Sequence, residues 1–84
     1  MRTTCSLSDW MNLSPLDQKT LAREFLILIR KKYPNSEFGY DPFPDLNYDR
    51  MVMSTIFTLL KDWNFLKVTG YMTFRLTPLG SGGV

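Results

Sequence analysis

Three acidic side chains recur at a spacing that could serve a metal ion. Asp41, Asp45 and Asp49 are four residues apart, and carboxylates at this interval would line one side of a helix, where their oxygens could share a cation. Pro42 and Pro44 break the helix that would align them. We therefore interpret the three as solvated loop acids and expect no metal site.

The residue types needed for most covalent catalysis are missing. The 84 residues include no histidine and one cysteine, Cys5, which excludes zinc sites built from Cys and His, Ser–His and Cys–His pairs, and an intrachain disulfide. Cys5 lies near an end of the chain that we expect to be flexible, so we interpret it as a thiol without a catalytic role. Because no glycine-rich phosphate loop is present either, the sequence predicts a non-enzymatic protein without a cofactor.

The distribution of charge gives a clearer indication of partners. The formal net charge is +2, but residues 35–49 carry −4 and contain no lysine or arginine, so the remainder carries +6. A basic remainder suits a polyanionic partner, whereas the acidic segment opposes one.

These residues belong to one small domain, which we place at residues 1–80, with residues 81–84 as a flexible tail. The composition is 44% hydrophobic and 14% aromatic, which is typical of a folded chain. The longest apolar run, residues 25–29, is too short for a membrane span, and the first residues lack a signal-peptide pattern. We therefore expect a cytoplasmic protein with no membrane partner.

A helix over residues 15–33 is the clearest predicted element. Ser14 suits the N-cap, Pro15 suits the first helical position, and the basic run 30–32 suits the last turn before Pro34. Residues 8–13 are compatible with one helical turn capped by Ser8. Residues 34–47 contain three prolines and predict an irregular connection whose aromatic residues pack on the core.

A second long helix is predicted over residues 48–63. Its apolar residues recur at helical spacing and should face the core: Val52, Ile56, Leu59, Leu60 and Trp63. The opposite, exposed face is expected to carry Arg50, Met53, Ser54, Phe57, Thr58 and Lys61. Two strands should follow, over residues 65–69 and 72–77, with a turn near Gly70. Thr77 and Pro78 look like the start of a further helix.

This order of elements resembles the winged-helix superfamily, and loosely its small bacterial and phage members. The resemblance rests on Tyr48-Asp49-Arg50 opening the helix, on residues 59–66 closing it, and on Phe74-Arg75-Leu76-Thr77-Pro78-Leu79-Gly80 ending the hairpin. It covers about residues 15–80. It implies an α+β winged-helix (winged helix-turn-helix) fold and a small DNA-binding transcriptional regulator.

The resemblance also implies where such a protein would bind DNA. The helix before the wing enters the major groove in DNA-reading members, and the wing contacts the backbone or the minor groove. Carried over by position, the nucleic-acid-binding residues would be Arg50, Ser54, Thr58 and Lys61 on the helix and Lys67, Tyr71 and Arg75 on the wing. Arg30, Lys31 and Lys32 would hold further phosphates. A homodimer through the first long helix would address a two-fold DNA site.

The chain departs from the helix-turn-helix pattern between its two long helices. Residues 34–47 replace the usual turn of about three or four residues, so the middle helix is missing, shortened or replaced.

A protein-binding adaptor or inhibitor module, encoded for example by a phage or mobile element, is the alternative function. It would use the outward face of helix 48–63 and the acidic-aromatic segment 37–45. Its candidate residues are Ile27, Tyr40, Phe43, Met53 and Phe57, because aromatic and methionine side chains are enriched at protein interfaces. Phe43 could instead fill core space left by the missing helix. The sequence leaves both functions open.

Overall fold

Residues 2–82 are described by a computed structural model, in which they form three helices and two pairs of short strands. The elements in chain order are β1 (Thr4–Cys5), α1 (Leu7–Asn12), α2 (Pro15–Lys32), β2 (Asn47–Tyr48), α3 (Arg50–Asp62), β3 (Leu66–Gly70) and β4 (Thr73–Leu76). β1 and β2 pair in parallel, and β3 and β4 pair antiparallel. The domain is therefore α+β, as predicted.

The long helix α2 is bounded by the signals in its sequence. The Ser14 hydroxyl accepts a hydrogen bond from the Asp17 backbone N–H at 3.1 Å, and Pro15 occupies the first turn. Three cations lie in the last turn, where they suit the negative end of the helix dipole. The helix ends at Lys32, one residue before the predicted end, because Tyr33 leaves the helical conformation as the C-cap.

The short helix α1 begins earlier than predicted. Ser6, not Ser8, is its N-cap, and Ser6 and Asp9 form a capping box with two reciprocal 3.1 Å hydrogen bonds. The hydrogen bond from the Ser6 backbone N–H, together with one to the Ser6 side chain, holds the pKa of the Asp9 carboxyl below its usual value. Trp10 is the buried residue of this helix, so α1 anchors the N-terminal segment to the core.

Helix α3 begins at Arg50, two residues later than predicted. Asp49 is the N-cap, and its carboxylate accepts a hydrogen bond from the Met51 backbone N–H at 2.8 Å. Asn47 and Tyr48, which precede this cap, form β2 because their backbone pairs with β1. Thr4 is opposite Asn47, and Cys5 is opposite Tyr48. The helix ends at Asp62, with Trp63 as the C-cap.

The predicted outward position of Met53 and Phe57 is wrong. Met53 is 7% exposed and Phe57 is 0% exposed. Residues from α2 cover one side of α3, whereas the β3–β4 hairpin and Phe38 cover the adjacent side. The buried arc is therefore wider than a single apolar stripe, and it comprises Val52, Met53, Ile56, Phe57 and Leu60.

The connection between α2 and α3 is packed rather than helical. Phe38 is buried and forms an isolated antiparallel bridge to Phe74 of β4, with hydrogen bonds of 2.9 and 2.8 Å in the two directions. The Phe57 ring lies 6.0 Å from that of Phe38, 5.5 Å from that of Tyr40 and 5.3 Å from that of Phe74, between centroids. This aromatic cluster fills the space beside α3.

The β3–β4 hairpin is regular near the core and irregular near its turn. Leu66 is opposite Leu76, Lys67 is opposite Arg75, and Val68 is opposite Phe74. A bulge between Val68 and Gly70 brings Gly70 opposite Thr73. The strands thus span residues 66–70 and 73–76, close to the predicted 65–69 and 72–77.

Both ends of the described chain are attached to the core. Cys5 is buried and lies in β1, so its predicted place at a flexible end is wrong. Residues 77–82 form turns, not the further helix that Thr77 and Pro78 suggest. Gly80 is buried, and its carbonyl accepts a hydrogen bond from Arg30 Nε. Of the predicted tail, residues 83–84 lie outside the described range.

Tyr48, in β2, makes the stability of the fold depend on pH. Its hydroxyl donates a 2.7 Å hydrogen bond to the Arg2 carbonyl, and burial raises its pKa to about 12. Because the pKa in the fold exceeds the unfolded value of about 10, the contribution of Tyr48 is present below pH 10 and lost as the pH rises towards 12.

We therefore expect the free energy of unfolding to decrease between about pH 10 and 12, and Tyr48→Phe to flatten this decrease. Urea unfolding at several pH values checks it. Burial also raises the pKa of Cys5. Its ionisation therefore lowers the free energy of unfolding at alkaline pH in both the wild type and the variant. Parallel pH curves for the two proteins would contradict the assignment to Tyr48.

Candidate functional site

A polar stripe runs along the exposed side of α3. Arg50, Ser54, Thr58 and Lys61 follow one another at intervals of four, four and three residues, which places them on one face of a helix. Ser54 is half-buried and the other three are exposed. The Thr58 hydroxyl donates to the Ser54 carbonyl at 2.9 Å, so its oxygen can still accept a hydrogen bond from a ligand.

The stripe borders a groove between α3 and the inner face of the hairpin. One hollow of about 240 Å³ is lined by Thr58 and Lys61 from α3 and by Val68, Tyr71 and Met72 from the hairpin. A neighbouring hollow of about 240 Å³ is lined by Tyr40, Arg50, Ser54 and Met72. Both hollows share Tyr40 and Met72, and we call them together the hairpin groove.

The two cations of the hairpin lie outside this groove. Lys67 and Arg75 are exposed and directly opposite each other. Leu66, Phe74 and Leu76 are buried and alternate with them along the strands, so the cations occupy the outer face. The structure therefore brings Thr58, Lys61 and Tyr71 into one hollow, adds Arg50 and Ser54 beside it, and separates Lys67 and Arg75 from both.

Acidic groups lie at both ends of the stripe. Asp49 is the N-cap of α3, next to Arg50. Asp41 and Arg50 both line a further hollow of about 360 Å³, whose other walls are formed mainly by the connection before α3. Residues 63–82, which include the whole hairpin, contain no aspartate or glutamate. At the other end of the stripe, Asp62 is exposed and directly follows Lys61, so the part of the site that is free of acids is the hairpin itself.

The basic run at the end of α2 is partly engaged within the fold. Arg30 Nε donates to the Gly80 carbonyl, and Lys32 Nζ donates to the Pro42 carbonyl at 2.8 Å. Lys32 also lies near the Tyr33 and Phe43 rings. Lys31 is exposed. The predicted phosphate role of Arg30 and Lys32 therefore competes with structural contacts, whereas Lys31 is accessible.

The residues predicted for a protein interface do not form one surface. Met53 and Phe57 belong to the core, and Ile27 is 48% exposed on α2. Tyr40 packs on Phe57, and Phe43 packs on Phe25 at 5.9 Å between ring centroids. Tyr40 and Phe43 thus pack on the core between α2 and α3.

Sequence reasoning missed three residues of the hairpin groove: Tyr40 as a groove residue, Val68 and Met72. Val68 shares a face of β3 with the buried Leu66, but this part of the hairpin extends past the core and the Val68 side chain is exposed. The missed signal is the pair of apolar residues beside Gly70, where a hairpin turn usually carries polar residues.

The side chains that line the groove are suited to noncovalent contacts with a ligand. Within residues 2–82, no group of three Cys, Asp or Glu side chains is arranged to hold a metal ion. The single thiol is buried, and burial raises its pKa, which disfavours the nucleophilic thiolate. The groove offers hydroxyls, two cations and apolar surface, which can act through hydrogen bonds, charge and packing.

The described residues thus define a small α+β domain with a groove between its last helix and its hairpin. No helix within residues 2–82 is both long and apolar enough to cross a membrane. No protein-family model, curated protein or solved structure matches this chain.

Proposed function

We propose that this chain is a winged-helix protein that binds double-stranded DNA, with α3 in the major groove and the β3–β4 hairpin as the wing. The order of elements supports the fold. Phe38, which lies between α2 and α3 in the chain, pairs with Phe74 of β4 and so extends the hairpin by a one-residue third strand. Residues 39–46, which include the turn from Phe43 to Leu46, take the place of the middle helix.

The observation that carries the proposal is the composition of the exposed side of α3. Met53 and Phe57 are buried and would not meet DNA, so Met51, which is 62% exposed, is the large apolar side chain on the exposed side of α3. Arg50, Ser54 and Thr58 remain there together with Lys61. Arginine, lysine and hydroxyl side chains are suited to base edges and phosphates.

Charge indicates which part of the stripe would contact DNA most closely. The carboxylates of Asp49 and Asp62 oppose phosphate at the two ends of the stripe, whereas the hairpin that adjoins Thr58 and Lys61 carries no acid. The contact would therefore centre on Ser54, Thr58 and Lys61, with Lys67 and Arg75 reaching phosphates from the outer face of the hairpin. Phosphate neutralisation of this kind supplies most sequence-independent affinity.

The test compares three single-charge removals on one duplex. Lys61→Ala and Lys67→Ala remove proposed phosphate contacts, and Lys19→Ala removes an exposed lysine on α2 that does not line the groove. Anisotropy of a labelled 30-base-pair duplex of mixed sequence is measured between 50 and 200 mM salt. We expect Lys61→Ala and Lys67→Ala each to weaken binding and to reduce the salt slope by about 1, and Lys19→Ala to leave both unchanged. Absence of salt-dependent binding by wild type, or equal effects of all three changes, would refute the proposal.

The protein-binding alternative has less support in this geometry. Two of its five residues are in the core, and Ile27 alone is an isolated exposed apolar side chain of a kind that folded proteins commonly tolerate.

A further inference from the structure

The turn of the β3–β4 hairpin exposes an unusual amount of apolar surface. Val68 is 56% exposed, Tyr71 is 92% exposed and Met72 is 46% exposed. All three line the same hollow beside Thr58 and Lys61, and we call them the hairpin tip. Scattered single apolar residues need no explanation, but a cluster at a projecting turn indicates a contact surface.

The tip is braced from several directions. Thr69 and Thr73 hydroxyls lie 3.1 Å apart across the bulge, and β4 is held from its other side by the Phe38 bridge. Met72 adopts a left-handed backbone conformation with φ of 57°, which fixes the turn at some conformational cost. Because the tip is not a loose loop, its side chains can press against a ligand without moving aside.

Charge around the tip favours a polyanion as the occupant. Residues 63–82 contain no carboxylate side chain and include Lys67 and Arg75, and Lys61 lines the same hollow as the tip. The neighbouring acids are Asp62, beside Lys61, and Glu37, beside the Phe38 bridge. The tip itself carries no cation, so it cannot neutralise phosphate. What it can offer to a duplex is apolar insertion: minor-groove proteins place methionine and similar side chains between base pairs and kink the duplex by about 20–90°.

Resting on the proposed function, we propose that Tyr71 and Met72 insert as a wedge into the minor groove and bend the DNA that α3 contacts. Lys67 and Arg75 hold phosphates beside the insertion, and Val68 covers the side of the wedge that faces α3. The protein on this view shapes DNA as well as binding it.

The experiment measures binding and bending on the same molecules. A 30-base-pair duplex carries a donor and an acceptor at its two ends, so bending raises energy transfer while anisotropy reports binding. Wild-type protein is expected to raise both. The double variant Tyr71→Ala/Met72→Ala should still bind, with affinity lowered by up to about tenfold and an unchanged salt slope, because no charge is removed. Its complex should show the energy transfer of free DNA.

The matched control is Met11→Ala/Leu16→Ala, which removes two exposed apolar side chains from α1 and α2 and should bend DNA as wild type does. A wild-type protein that does not bind the duplex refutes the proposed function itself. Binding without bending, or bending that survives in the tip variant, overturns the wedge alone. A concentration-dependent dimer in sedimentation velocity that the tip variant abolishes, with bending unaffected, would instead assign the tip to a second copy.

Discussion

Replacing Phe57 with alanine is expected to lower the free energy of unfolding by about 3–5 kcal/mol. The ring is fully buried and contacts the rings of Phe38, Tyr40 and Phe74. Removing it opens a cavity where α3, the connection and the hairpin meet. A domain of this size has about 4–13 kcal/mol in total, so a large part of its stability depends on this side chain. Urea unfolding followed by circular dichroism measures the loss.

Met51→Ala is the matched control for this experiment. Met51 is a large apolar residue on the same helix, but it is exposed, and its truncation should change stability by less than about 0.5 kcal/mol. Comparable losses for the two variants would contradict the assignment of Phe57 to the core. Any loss of partner binding in a Phe57 variant would accordingly reflect unfolding.

Gly80→Ala is expected to destabilise the domain by about 3 kcal/mol, at the upper end of the usual cost of overpacking. A Cβ atom at this position would overlap the carbonyl of Phe65, and backbone cannot rotate away as a side chain can. The 77–82 turn would have to move, which threatens the hydrogen bonds from Arg30 Nε to the Gly80 carbonyl and from the Gly80 N–H to Thr77 Oγ1. Thermal and urea unfolding measure the effect.

Gly39→Ala makes the same chemical change at a site with room for it. The added Cβ would lie 3.6 Å from the Met72 carbonyl oxygen, an ordinary contact. Since both substitutions restrict the unfolded chain equally, Gly39→Ala should be neutral or stabilising by up to about 1 kcal/mol. Similar unfolding curves for the two variants would show that the approach of Gly80 to Phe65 is not tight.

Local signals predicted the helices well because those signals act within a few residues. Ser14 and Pro15 fix the start of α2 through contacts within one turn, and Pro34 follows its end. The start of α3 was misplaced because Asn47 and Tyr48 are held by Thr4 and Cys5, residues about half the chain away. A pair of two-residue strands has no periodicity to detect.

The candidate site was predicted only where it depends on local spacing along the chain. The spacing of Arg50, Ser54, Thr58 and Lys61 is sufficient to place them on one face of α3. The exposure of Met53 and Phe57 depends on how many neighbours surround the helix, and helical periodicity does not report that number. The hairpin tip was missed because alternation predicts the side on which Val68 lies, but not where the covering core ends.

The parallel contact of β1 with β2 has a consequence for the order in which the domain assembles. The N–H groups of Asn47 and Asp49 donate to the carbonyls of Thr3 and Cys5, so the contact closes a long loop that contains α1 and α2. Loop closure costs chain entropy before it yields any hydrogen bond, and non-local pairings of this kind slow folding. We therefore expect the β1–β2 pair to form late, after α2 and the β3–β4 hairpin, which form from contacts between near neighbours in the chain.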